Sequence, residues 1–339
     1  MKLRIIVLVL MITPLIAAAQ NQIDKQGRRQ GHWTKVDKNN RKIYEGTFKD
    51  DHETGIFTYY YPNGAVRIKN TFTPDGKYCN HEVYSEKGHL MATGFYNQKN
   101  RDSVWHIYNE DGALVKINRY RMGVKWGTFY TFSPEGDTLE IFTWKDNKRE
   151  GYARRATREG YVEMHYKDGL LHGPMAEYAN GKRIKEGQFE NALRTGEWKQ
   201  WINGLLSVKE TWRDAMLIER KVLVLAADMP RFVSTKEIAY FYKSGNARTV
   251  VMLRDGNQMS SNEEFNSFSD KVGTENFVIV DRKNKIVAAS DCIKGFEKDN
   301  DGRTILVLVP RAQFNIYIDE KKDADLIKMV NFIIQENNN

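Results

Sequence analysis

Cysteine is scarce in this chain, with Cys79 and Cys292 the two among 339 residues. Small exported domains held together by disulfides carry far more. Packing must therefore supply the stability, and the two thiols read as independent and buried. Histidine is missing from the last third. All seven (His32, His52, His81, His89, His106, His165 and His172) precede residue 173, so the C-terminal region has no imidazole for acid–base work or for a metal. Cys292 consequently lacks a local base to activate it. No two histidines share the i, i+4 or close hairpin spacing of a metal pair. No phosphate loop or dinucleotide fingerprint occurs. Glu297-Lys298-Asp299-Asn300-Asp301-Gly302 opens like a calcium loop, but Leu308 stands where a bidentate Glu is required, so it reads as a solvated turn. No cofactor is expected.

Long apolar runs are lacking too, apart from Ile5 to Ile16. That run is short for a bilayer span. Lys2 and Arg4 precede it and Ala17-Ala18-Ala19 follow, the pattern of a removable secretion signal over residues 1–19. The expected mature chain is exported, periplasmic or envelope-associated or secreted, with no transmembrane segment after signal removal. Removing Lys2 and Arg4 leaves 50 basic residues against 44 acidic ones, a charge of +6. From Lys221 onward 17 of each sign cancel, so the N-terminal part carries the whole excess.

What the chain has in abundance is repetition. After a polar leader over 20–30, an aromatic column recurs at Phe48, Phe72, Tyr96, Tyr120, Trp144, Tyr166, Phe189 and Trp212, spaced 22–24 residues apart. A turn column runs through Asn40, Gly64, Gly88, Gly112, Gly136, Gly160, Gly181 and Gly204. An opening column runs through Gly31, Gly55, Asn80, Ser103, Gly127, Gly151, Gly173 and Gly196. Three columns at one period define repeats, eight of them over residues 31–218. Phe57, Tyr59 and Tyr61 alternate at period two and Pro62-Asn63-Gly64 is turn chemistry, so each unit reads as a β-hairpin. About sixteen strands at ~4.8 Å each would extend roughly 75 Å. The leading first-strand positions, Trp33, Phe57, Trp105, Phe129, Ala153, Met175 and Trp198, are mostly aromatic. One aromatic in every repeat points to packing rather than to a sugar-stacking platform.

Glycine-opened hairpins such as Gly55-Ile56-Phe57-Thr58-Tyr59-Tyr60-Tyr61-Pro62-Asn63-Gly64 and Gly196-Glu197-Trp198-Lys199-Gln200-Trp201-Ile202-Asn203-Gly204 resemble the bacterial variant of MORN repeats. Lys185-Glu186-Gly187-Gln188-Phe189 supplies the second-strand pattern. The resemblance covers about residues 27–215 and implies a scaffold, or a binder of membranes or proteins. Asn80 and Ser103 depart from the opening Gly, and Ala153 and Ala156 from the first-strand aromatics. These are the places where the array is expected to bend or open.

From about residue 219 to 339 the period stops, and a small α/β (α+β) domain is expected. Val222 to Ala226 reads as a buried strand. Ser234-Thr235-Lys236-Glu237 reads as a capping box opening a helix to Gly245, and Ser261-Asn262-Glu263-Glu264 as a second, with a helix to about Val272. Strands are expected at 248–253, 277–280, 286–289, 304–309 and 314–318, and an amphipathic helix at 323–335. The fold class is thus mainly β, an elongated antiparallel hairpin array followed by that domain.

The function these features favour is a non-enzymatic binding scaffold. Its expected partner is a protein or an anionic envelope surface, while export and modest charge speak against nucleic acid. The basic residues cluster at Lys116, Arg119, Arg121, Lys125, Lys145, Arg149, Arg154, Arg155 and Arg158, with Lys148 among them. Strand alternation puts Arg119, Arg121 and Lys145 opposite the aromatic column. The alternative is a hydrolase or inhibitor module in the C-terminal domain, which would require Asp228, Asp255, Asp281 or Asp291 to share a cleft.

Overall fold

The computed structural model describes residues 21–226, 229–245 and 248–338; the expected signal segment and Asp228 lie outside them. The chain divides into two compact units, the first ending at Ala156 and the second beginning at Thr157.

In the first unit the strands are β1 (Gln22–Ile23), β2 (Arg29–Val36), β3 (Lys42–Lys49), β4 (His52–Tyr60), β5 (Val66–Phe72), β6 (Tyr78–Tyr84) and β7 (Leu90–Asn97). They continue as β8 (Asn100–Tyr108), β9 (Leu114–Arg121), β10 (Val124–Lys125), β11 (Gly127–Phe132), β12 (Thr138–Lys145) and β13 (Lys148–Ala156). Sequential neighbours pair antiparallel throughout, as the hairpin reading expects, with β9 pairing both β10 and β11. In the Pro62-Asn63-Gly64 turn, Gly64 takes φ 86° and the Asn63 Oδ1 accepts from Ala65 N at 2.9 Å. A local side-chain acceptor plus a residue free of Cβ strain closes the hairpin.

The opening glycine has a definite task. Between β3 and β4 the register shifts: Glu45 faces Thr58 while Thr47 faces Thr54. Gly55 lies in the extra length at φ 62°. Such a bulge turns the strand and re-aims the side chain that follows. Phe57 is thereby laid against Gly46, where a Cβ would stand 2.0 Å from its ring. Trp105 does the same over Gly94, and Ser103 holds the bulge position at φ 60°. Asn80 sits in an unshifted β5–β6 ladder and faces Thr71. Pairing runs unbroken through both departures, so neither opens the array.

The aromatic column packs edge-on against the first-strand rings, with Phe48–Phe57 centroids at 5.2 Å and Tyr96–Trp105 at 5.0 Å. Phe57 and Trp105 are buried, whereas Phe72, Tyr96, Tyr120 and Trp144 are half-buried. In the second and fourth units the deepest position is therefore the first-strand ring, whereas in the first unit the column ring Phe48 is the buried one and Trp33 is half-buried. At Ala153 the arrangement inverts: Phe142 stands directly across from it, and both are buried. Volume lost on β13 is restored on the preceding strand, β12.

Where the third unit lacks a first-strand ring of the usual kind, His81 takes its place, 5.1 Å from Tyr96 and with Nδ1 2.7 Å from Asn70 Oδ1. Burial, with help from the Arg101 charge, holds this imidazole below its usual range. A folded-state pKa below the unfolded value of about 6.5 means that the unfolded chain binds the proton first. Stability contributed by His81 is then present above that pH and lost as pH falls through it toward the folded value. The melting temperature should drop between pH 7.5 and 5.5, and more steeply than in a His81→Gln variant. Parallel curves for the two proteins would remove this account.

The second unit begins with β14 (Gly160–Lys167), β15 (Leu170–Leu171), β16 (Gly173–Ala179), β17 (Lys182–Glu190), β18 (Leu193–Ile202), β19 (Leu205–Arg213), β20 (Met216–Val224) and β21 (Arg231–Ser234). The long β20 is not left as an edge, because it pairs β19 on one side and the four-residue β21 on the other. Unpaired strand edges recruit other chains, and a short last strand limits that.

The remaining elements are β22 (Ile238–Ser244), β23 (Arg248–Leu253), β24 (Gln258–Ser261), α1 (Phe265–Val272), β25 (Phe277–Asp281), β26 (Ile286–Ala289), β27 (Ile293–Lys298), β28 (Thr304–Leu308), β29 (Ile316–Tyr317) and α2 (Ala324–Asn338). The helix expected from Ser234 to Gly245 is instead a strand. Ser234 does cap, accepting from Lys236 N, but the turn lasts only Thr235–Glu237. Ile238 to Phe241 are all buried because β22 lies inside the sheet β24-β23-β22-β26-β25. A strand covered on both faces has no alternation to read. The second helix forms, but Glu264 caps it without a side-chain bond. All described strand pairings here are antiparallel, and β27, unforeseen, joins β28 and β29 in a separate sheet.

Two cores result. Phe241, Val251, Phe268 and Val272 pack with Val208 and Val222 of the last repeat strands, while Tyr240, Met252 and Ala288 face Leu306 and Val330. The period ends at the last repeat, but the hydrophobic core does not. Both cysteines are free and buried, and burial pushes the Cys79 thiol up to about 11.

Candidate functional site

The ladder registers decide which of the basic residues share a surface. Lys116 faces Thr131, Lys125 faces Tyr120, Arg149 faces Trp144 and Arg155 faces Glu140, so these four lie on the aromatic side. There Lys125, Arg149 and Arg155 cover rings. Lys125 Nζ stands 4.3 Å above Trp144, and the Arg149 guanidinium 4.2 Å from the centre of the Phe142 ring. Arg155 also pairs with Glu140 at 3.1 Å. Cations held over aromatic faces and beside carboxylates stabilise the ribbon itself.

Arg119 faces Val104, Arg121 faces Val124, Lys145 faces Lys148 and Arg154 faces Ile141, which places these four on the opposite side. Arg158 follows β13 in sequence and belongs to the second unit. The nine residues therefore do not form one patch. Alternation at period two sends adjacent residues to opposite faces, and clustering in sequence cannot overcome that.

The face bearing Arg119, Arg121 and Lys145 is the more available one. All three are exposed, and none forms an ion pair among the described residues. Arg121 lies 5.0 Å from the centre of the Trp126 ring. Trp126 occupies the break between β10 and β11, donates its backbone N–H to Arg119 O at 3.1 Å, and is 36% exposed. Sequence reading missed it because it precedes an opening glycine and belongs to no column. A large aromatic residue standing immediately before the opening Gly127 was the available signal. Exposed cations beside an amphipathic ring suit a surface that offers anionic groups at a polar–apolar boundary.

The aspartates named for a hydrolytic site do different work. Asp255 accepts from Asn257 N at 2.9 Å and Asp281 from Asn284 N at 2.8 Å, each closing its own turn. Asp291 forms a two-bond pair with Arg254 at 2.9 and 2.8 Å, which holds its carboxyl below the usual range. A cleft of about 290 Å³ beside Tyr242 and Phe314 contains none of them. In the Glu297 to Gly302 segment, Asp299 accepts from Asp301 N, Arg303 N and Arg303 Nε. Among the described residues, no three His, Cys, Asp or Glu side chains are grouped to hold a metal, and no helix is long and apolar enough to cross a membrane. No family model and no curated protein matches the chain.

Proposed function

We propose that the protein is an exported, non-enzymatic scaffold of MORN-like hairpin repeats that engages an anionic envelope surface. Contact is made through the face carrying Arg119, Arg121, Lys145 and Trp126. What supports this reading above all is that three exposed cations, two on β9 and one on β12 two strands away, lack counter-charges while an exposed tryptophan stands beside Arg121. On a solvated face, cations are usually interspersed with acids. Here none of the three is engaged by an acid among the described residues, and Glu140 is on the other side, held by Arg155. Each basic residue near an anionic surface contributes about 1 kcal/mol, and an indole anchors at the boundary.

The test replaces Arg119, Arg121 and Lys145 together by Ser, changes on exposed strand positions that leave the fold intact. Sedimentation with phosphatidylglycerol vesicles, with phosphatidylcholine vesicles as reference, should show about a hundredfold weaker attachment, equivalent to about 3 kcal/mol. Salt of a few hundred millimolar should weaken the unaltered protein similarly by screening. A parallel arm with a soluble acidic polysaccharide separates lipid headgroups from sugar acids. Attachment unaffected by both the substitutions and salt would discard the face.

A further inference from the structure

A cleft of about 400 Å³ opens on the second unit along β18, β19, β20 and β21. Its floor is part of a cross-strand ladder in which Lys199, just outside the cleft, faces Lys209, Lys209 faces Lys221 and Lys221 faces Ser234. One rung along, Glu197 faces Thr211 and Thr211 faces Glu219. Like charges directly opposite one another are unfavourable unless carboxylates intervene. They do so for the two outer lysines. Lys199 pairs with Glu197 at 3.1 Å and with Glu186 at 3.4 Å, and Lys221 pairs with Glu219 at 3.4 Å.

The middle lysine is different. Lys209 forms no ion pair among the described residues, and its ammonium sits 4.6 Å from the centre of the Phe232 ring on the cleft wall. Glu237, which closes the short turn after β21, also lines the cleft and also forms no ion pair. One positive and one negative group are thus left over, facing a space too small for a folded partner and of the size that takes small molecules. An anionic ligand on Lys209 would meet Glu197, Glu219 and Glu237. A cationic ligand on Glu237 would meet the lysine row. A ligand carrying one charge of each sign satisfies both residues without adding net charge.

We propose that this cleft binds a small zwitterion, with its carboxylate on Lys209, its ammonium on Glu237 and its apolar part against Phe232. Free α-amino acids and short peptides with charged ends share this chemistry. The assignment is independent of the anion-binding face of the first unit. The full chain is titrated by calorimetry and NMR with common L-amino acids, with glycyl dipeptides, with amino-acid amides, with N-acetyl amino acids and with glucose. Zwitterions should bind at least about tenfold more tightly than the singly charged forms or the sugar. Lys209→Met should lose about tenfold for the zwitterion but nothing for the amide, and Glu237→Gln should lose about tenfold but nothing for the N-acetyl form. Lys209→Gln serves if Lys209→Met is unstable. Preference for single amino acids over dipeptides identifies the free form, and the reverse identifies a peptide. Absence of binding by every zwitterion at about 10 mM, equal binding of glucose, or unchanged binding by the variants would overturn the site.

Discussion

Trp198→Ala is expected to destabilise the protein by about 3–5 kcal/mol, and Gly187→Val to destabilise it comparably from the other side of the same contact. Trp198 is 2% exposed and lies across Gly187, where a Cβ would stand 2.1 Å from the indole ring. Phe189 meets it edge-on at 5.1 Å and the Arg194 guanidinium covers it at 4.5 Å. Ring and glycine are two halves of one fit, so their effects should not add. In the double variant, valine occupies part of the space the ring vacates, and the loss should fall well below the sum. The chain already contains the inverted solution, since Phe142 and Ala153 face each other with the large residue on the preceding strand. Denaturant unfolding of the two single variants and the double variant measures the coupling. Simple additivity would show that ring and glycine do not share one contact.

Removing Glu263 should be nearly as severe. The Lys271 side chain is wholly buried, and its ammonium donates to Leu223 O at 2.6 Å and to the Glu263 carboxylate. Breaking a buried pair by deleting one partner costs about 3–5 kcal/mol, because a charge is left without compensation. Glu263→Leu with Lys271→Met should recover most of that, since an apolar pair of similar volume needs no desolvation of charge. Burial already holds the Lys271 ammonium below its usual range, with Glu263 opposing the shift. Between the folded value and the unfolded value of about 10.4, the unfolded chain binds more protons, so stability from this group rises with pH. Deleting Glu263 alone removes the opposing effect and widens that window downward. The single variant should therefore gain melting temperature on going from pH 7 to 9 more than the unaltered protein does. A flat difference over that interval would mean that the ammonium is not held in the core.

How much of this was legible in sequence depends on the range of the interaction that decides each feature. The hairpins were readable because turn chemistry and period-two patterning are local. Gly64 needs nothing beyond its neighbours to close a turn, and Phe57 declares its face by alternation. The same alternation placed Arg119, Arg121 and Lys145 on one side, as the ladders have them. It gave no means of pooling them with Lys125 and Arg149, which the registers send to the ring side. The role of Gly46, Gly94 and Gly187 stayed hidden because a ring from the next strand defines it. In the C-terminal part, Ser234 carried a true capping signal, yet Ile238 to Phe241 became a strand because neighbours on both sides cover it.

The amino-acid sequence by itself determined the repeat, its hairpins, their turns and the mainly β class, since each follows from contacts within some two dozen residues. Tertiary structure alone decided three things. It set which cations share a face, it turned β22 from helix to strand, and it brought Lys209 and Glu237 to one cleft. The physical reason is common to all three. Strand register and burial are set by partners distant in the chain, and a side chain's surroundings follow from those partners rather than from its own neighbours.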